Sequence, residues 1–338
     1  MNTVELIPAG SVLDFNHIAY PPDIALLTRD LLGMINDARW EIKVAVMFAD
    51  GSPIAALPIR SLAKGTRLPH PLDSICEHLH AVQQREMLVI GGSGGLVRGA
   101  WVATGYPLSV IPKMLTQLKP SIRKGTVLAP YLPDEQVAWF DDCLGVPNNQ
   151  SIQAEEYSYF DLQDVKKYTD WVGLQTKKVR QTLNRDLRDC ELLGGSFDAI
   201  PYSWSLLYEH LDLFADVFQK NDSSRHDMLV RQELHQFVEA AEAAEWNLVC
   251  LGYRSPIGKL DGLALGQECG TILDLAYLGL RGNIAYRREI YANFVASTPI
   301  KYCLERGLSK VLLGWSHADV KRRRGAVVSS LGHYAWKV

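Results

Sequence analysis

Between Tyr202 and Gly314 the sequence runs through two amphipathic helical stretches, Tyr202–Gln219 and Gln232–Glu245, and then three strand-like stretches in close succession, Trp246–Tyr253, Gly262–Cys269 and Thr271–Gly279. A helical stretch from about Ile284 to Arg306 and an apolar strand at Lys310–Gly314 complete the series. Strands that follow one another without a helical crossover pair antiparallel, so this order excludes the regular strand–helix alternation of a doubly wound sheet. The fold class it implies is α+β.

The rest of the chain is read in the same way. Glu41–Phe48 and Ile54–Leu62 are β-rich runs joined by Ala49-Asp50-Gly51-Ser52, and Asp-Gly in that setting predicts a hairpin. A short strand at Met87–Ile90, a helix over Pro107–Leu118, a strand over Gly125–Leu132 and a helix over Asp134–Cys143 follow. The polar, turn-rich segment 145–155, GVPNNQSIQAE, marks a boundary and gives two domains, 1–150 and 151–338. Beyond it come a strand at Tyr157–Leu162, Asp164 as N-cap, and a helix running through Lys177–Arg188. Pro299 is expected to kink the Ile284–Arg306 helix and Gly307 to cap it, and a final strand is expected near Leu331–Val338.

Composition narrows the function classes. At 338 residues, 47% hydrophobic and 22% charged, the chain can bury two ordinary cores. No apolar run reaches the ~18–20 residues that cross a bilayer, and MNTVELIPAG lacks the features of a signal peptide, so a cytoplasmic location is expected. The six cysteines form no CxxC pair and are expected to be buried thiols. A net charge of -3 speaks against a wholly basic surface, but two local basic patches exist. One comprises Lys177, Lys178, Arg180, Arg185 and Arg188, and the other Lys321, Arg322, Arg323 and Arg324.

Two motifs invite chemistry and are weighed against simpler readings. Gly91-Gly92-Ser93-Gly94-Gly95 fits the pattern of a hydrolase nucleophile elbow after a strand, with His317 or His333 to complete the set. No long helix follows to back Ser93, and four glycines in five positions more simply mark a flexible turn. Cys76, His78 and His80 have a spacing that suits metals but no second ligand cluster nearby in sequence, so no metal is expected.

The segment Ile284–Gly325 is the most informative. Tyr286, Tyr291, the helix end Glu305-Arg306-Gly307, strand Val311–Gly314 and the run Lys321 to Gly325 resemble the Fem-type peptidyltransferases and related GNAT-like proteins. Asp170–Arg188, with Trp171, Lys177, Arg180 and Arg185, is similar to the helix that opens their second half. The resemblance covers roughly residues 155–338. It implies two GNAT folds in tandem, the first degenerate, and transfer of an acyl or aminoacyl group onto an amine. In Fem-type members the donor is an aminoacyl-tRNA, which would be a co-substrate here and leave no cofactor.

Acyl transfer needs an amine held close to a carbonyl and a donor for the developing oxyanion. Lys321 matches the lysine of the family's terminal motif and is the candidate donor; its simpler reading is a solvated basic loop. His317 is the candidate proton relay, or a structural histidine. Trp315, Ser316, Gln267, Asp274, Tyr286 and Arg287 are candidate substrate-binding residues. Lys177, Lys178, Arg180, Arg185, Arg322, Arg323 and Arg324 are candidate contacts to tRNA phosphates, or simply solvated faces. Acyl-CoA is the alternative donor. Its usual (Q/R)xxGx(G/A) loop would fall at Leu280–Tyr286, where the full pattern is missing.

Overall fold

The computed structural model of the protein describes residues 3–8, 38–64, 66, 87–90, 101–102, 106, 109–118, 126–144, 150–221, 227–243, 247–269, 271–282, 284, 286–314 and 317–337. Ser93, Cys76, His78, His80, Trp315 and Ser316 lie outside the described residues. The chain divides into two units, one made of Met1–Glu156 with Ser329–Val338 and the other of Tyr157–Val328. The division thus falls one residue beyond the polar segment 145–155, part of which is strand, and it gives residues 329–338 to the first unit.

The first unit holds strands β1 (Thr3–Pro8), β2 (Trp40–Ala49), β3 (Ser52–Leu62), β4 (Met87–Ile90), β5 (Trp101–Val102) and β6 (Thr126–Pro133), with helices α1 (Val110–Leu118) and α2 (Asp134–Leu144). The β2–β3 hairpin turns on Asp50 and Gly51 at φ 50° and 80°, the left-handed pair that a tight primed turn demands. β1, β2, β3 and β4 pair antiparallel in that order, β4 pairs parallel with β6, and β6 pairs antiparallel with β13 (Val327–Lys337). Ala45, Met47, Leu57, Met114, Phe140 and Trp336 are among the buried side chains of its core, where Phe140 and Trp336 stack at 5.2 Å.

The second unit takes residues from β7 (Gln150–Asp161) and contains β8 (Ser196–Ile200), β9 (Asn247–Arg254), β10 (Leu260–Cys269), β11 (Ile272–Leu280) and β12 (Lys310–Leu312). Its helices are α3 (Tyr168–Leu174), α4 (Lys177–Glu191), α5 (Trp204–Glu209), α6 (Leu211–Asn221), α7 (Asp227–Ala243), α8 (Arg287–Phe294), α9 (Ser297–Arg306) and α10 (Ala318–Arg322). β8, β9, β10 and β11 pair antiparallel, β11 pairs parallel with β12, and β12 pairs antiparallel with β7. This is the pairing pattern of the first unit repeated. Each unit draws its sixth strand from beyond its own run of strands: β13 completes the first and β7 the second.

Alternation along the strands of the second unit feeds two cores. Val249, Leu251 and Tyr253 pack with Phe160, Leu183, Ile290 and Phe294, whereas Cys250, Leu263 and Leu265 pack with Leu213, Phe214 and Val238 from α6 and α7. The sheet is therefore covered by helices on both faces. Cys190, Cys250 and Cys303 are buried free thiols, as the absence of cysteine pairs implied.

Three local expectations are corrected. Asp164 is not an N-cap: it sits at φ 64°, and α3 begins four residues later, after Lys167. The helix expected to run through Lys177–Arg188 is two helices, with the Thr176 hydroxyl accepting from Val179 N to start α4. Pro299 kinks nothing, because the chain breaks at Val295–Ala296 and Pro299 falls in the first turn of α9, where a missing N–H costs no helical bond. Gly307 does cap α9, at φ 71°. Among the described residues no helix is long and apolar enough to cross a membrane.

Candidate active site

A parallel strand pair that parts leaves backbone edge exposed where it parts. β11 and β12 pair only from Ile272↔Lys310 to Asp274↔Leu312. β11 then continues to Leu280 with no partner strand on that side among the described residues, while Leu313 and Gly314 bond instead to Ser158 of β7. The register with β10 shifts from Leu265↔Tyr277 to Gly266↔Leu275, which leaves Ala276 as an extra residue. Ala276 is exposed in the middle of a strand whose first four residues are buried. The fork thus opens a slot in the sheet.

Lys321 stands at this fork. It lies on α10, is 2% exposed, and its Nζ donates to Leu313 O at 2.6 Å and Gly314 O at 3.2 Å. An ammonium has three donors, so one remains. Burial pulls its pKa down to about 8, which keeps the group cationic at neutral pH. The simpler reading of Lys321 as part of a solvated loop does not hold.

Arg324, three residues on, also turns inward. It is 5% exposed, its Nε lies 2.8 Å from Asp186 Oδ2 on α4, and its Nη1 donates to Val320 O. The Nε–carboxylate contact is an ion pair by distance without the alignment of a hydrogen bond. Asp186 is itself buried, and Asn293 Nδ2 donates to its backbone carbonyl at 3.2 Å. Gly325 completes the turn at φ 88°, where a Cβ would come within 2.6 Å of Gln175 Oε1. Two inward cations three residues apart therefore pin one short helix, Lys321 to the end of β12 and Arg324 to α4.

The other candidate residues separate into groups. Asp274 ends the paired part of β11 and accepts from Gln267 Nε2 at 3.1 Å, both side chains buried, with Gln267 Oε1 left without a partner. His317 is exposed at the start of α10 at φ 57°, its ring edge-on to Tyr291 at 6.1 Å. Tyr286 is 62% exposed before α8, and Arg287 Nη1 donates to Arg281 O. Lys177, Lys178, Arg185, Arg322 and Arg323 are exposed. Arg180 instead donates to the carbonyls of Gln175 and Gly173, closing the end of α3. Arg324 is corrected from a surface phosphate contact to a buried anchor, because Asp186 supplies its counter-charge inside the protein.

The residues after β11 are strongly committed. Arg281 bonds Asp261 at 2.7 Å and Asp212 at 3.1 Å, and Gly282 N donates to Asp216 Oδ2 at 2.7 Å. Sequence reasoning missed Asp186, Asn293 and these aspartates. Only Asp186 left a signal, since with Leu183 and Cys190 it occupies the buried face of α4, a polar residue in an apolar stripe.

No protein-family model matches the chain, and no curated protein matches it. Solved structures do. FemX superposes at TM-score 0.56 with 10% identity over 92% of this chain and 90% of its own. The C-terminal domain of a putative lysylphosphatidylglycerol synthetase from Agrobacterium fabrum superposes at 0.52 with 11% identity, over 97% and 91%. L-PGS from Bacillus licheniformis superposes at 0.51 with 10% identity, over 95% and 94%. At these identities the likeness is one of fold: the chain shares the fold of FemX and of these two proteins, in line with the resemblance to Fem-type proteins read from the sequence.

Proposed function

We propose that the chain is an acyltransferase that moves an aminoacyl group from aminoacyl-tRNA onto an amine of a small metabolite or peptide, with the chemistry in the second unit and the first a degenerate copy. The observation that carries this reading is the fork between β11 and β12 with the Lys321 ammonium fixed at its mouth. The acceptor nitrogen attacks the ester carbonyl, a C–N bond forms, the ester C–O bond breaks, and the tRNA terminal hydroxyl leaves with the proton given up by the amine. Lys321 offers its third N–H to the oxyanion, and His317 relays the proton. Trp315, Ser316, Asp274, Gln267, Tyr286 and Arg287 bind substrate.

Two features favour tRNA over acyl-CoA. Asp216 occupies the Gly282 N–H, and Asp212 and Asp261 crowd the same turn, so the place where a CoA pyrophosphate would need free backbone donors is filled with carboxylates. Lys177, Lys178, Arg185, Arg322 and Arg323 lie exposed at the surface, Arg322 beside Asp319 and Arg185 beside Asp186, and as cations they suit a phosphate backbone. A cytoplasmic location accords with both substrates.

The test is transfer of radiolabel from a mixed pool of charged tRNA to acid-stable product in a cell extract. RNase-sensitive labelling by the wild type, reduced about 10²–10³-fold in Lys321→Met, is the expected result. Labelling from acetyl-CoA and none from tRNA would move the chain to the CoA-dependent N-acyltransferases.

A further inference from the structure

Helix α4, strand β8 and the α8–α9 pair line a half-open cavity of about 280 Å³ within the second unit. Its apolar wall includes Leu187, Phe197 and Leu251. Its polar groups are unusual in sign. Glu191, Asp198 and Glu305 line it, and among the described residues neither the Glu191 nor the Glu305 carboxylate makes an ion pair or hydrogen bond. Asp198 accepts only a neutral hydroxyl, from Ser196. The one lining cation, Lys301, places its Nζ 5.2 Å from the ring centre of Tyr168.

A second observation points the same way. Asn293 lines the cavity and is 2% exposed. Both of its hydrogen bonds run through Nδ2, to the backbone carbonyls of Asp186 and Glu289, which fixes the amide orientation. Its oxygen is left as an acceptor with no partner among the described residues. The thiol of Cys190, on the same wall, is pushed up to about 11, first by burial and then by Glu289 and Glu191, with Lys301 opposing. The cavity therefore combines an apolar wall with acceptors and an excess of negative charge, three carboxylates against the single Lys301 ammonium. That pairing matches one ligand chemistry, an ammonium carried on a short hydrocarbon body.

We propose that this cavity is a binding site for a small organic ammonium ion. The ammonium meets the carboxylates of Glu191, Asp198 and Glu305 and the Asn293 oxygen, and the hydrocarbon lies against Leu187, Phe197 and Leu251. None of these residues belongs to the Lys321 fork, so the site stands whether or not the chain transfers an acyl group.

The test is calorimetric titration of the full chain with n-butylammonium chloride at pH 7 and fixed ionic strength, with n-butanol and sodium n-butyrate as isosteric controls. Saturable binding of n-butylammonium alone is expected, about tenfold weaker in the Glu191→Gln/Asp198→Asn double variant, or about 1.4 kcal/mol. Both positions are exposed, and circular dichroism checks that the variant folds. Lys321→Met should bind the amine as the wild type does, which separates this site from the transfer reading. No saturable binding, equal binding of n-butanol or n-butyrate, or a double variant of unchanged affinity overturns the proposal.

Discussion

The two units use the same sheet, four antiparallel strands, a parallel fifth and an antiparallel sixth, yet they use the turn after the fifth strand differently. In the second unit that turn is α10 with the turn that follows it, which carry Lys321 and Arg324 inward. In the first it is α2, reading DEQVAWFDDCL, which has no cation: Phe140 enters the core and Asp141 Oδ1 accepts from Trp336 Nε1 at 2.6 Å. A repeated backbone therefore does not repeat a site. What differs is whether the helix after strand five brings a charge to the fork or an aromatic to the core.

The comparison can be broken most forcefully at Arg324. Arg324→Met removes the buried partner of Asp186 and leaves it only the half-exposed Arg185 at 3.5 Å, and chemical denaturation should show a loss of about 3–5 kcal/mol. Lys321→Met should behave in the opposite manner, with little loss of stability and transfer reduced about 10²–10³-fold, because an apolar side chain replaces a buried charge that serves chemistry. If both variants lost stability alike, Lys321 would be a second structural anchor.

Titration sharpens the contrast. The folded pKa of Lys321, about 8, lies below its unfolded value of roughly 10.4, so between these pH values the unfolded chain holds a proton that the folded chain has released. The Lys321 contribution to stability therefore rises with pH across that window, by about 3 kcal/mol at most, and denaturation of wild type against Lys321→Met should show this slope only in the wild type. The transfer rate, which needs the cation, should fall as pH rises through about 8. Smallest of all is the outward pair. Arg322→Ala with Arg323→Ala should change stability by less than about 1 kcal/mol while flattening the salt dependence of tRNA binding by about one unit of slope per cation.

The elements of both units were legible where local chemistry is decisive. Asp50-Gly51 dictates its turn, and near-continuous apolar runs, buried on both faces, announce β9 to β11. Strands β1 and β8 were missed because their burial is weak and their identity comes from pairing with β2 and β9. At the site, Lys321 was found through a family motif, but its burial was not. A run of four cations looks solvated in one dimension, and only the i, i+3 geometry of a single helical turn sends two of them inside. The counter-charge, Asp186, lies 138 positions before Arg324 in a different helix, a separation that no local pattern bridges.

The exchange of sixth strands sets an order of assembly during synthesis. The second unit has β7 in hand before its other strands emerge from the ribosome, so it can close once α10 is delivered. The first unit, though translated earlier, must keep the edge of β6 uncovered until residues 331–337 arrive to pair with it and Trp336 reaches Phe140. Its hairpin and helices wait as an unfinished sheet through the synthesis of some two hundred further residues, which leaves that edge open to mispairing and to chaperones in the meantime.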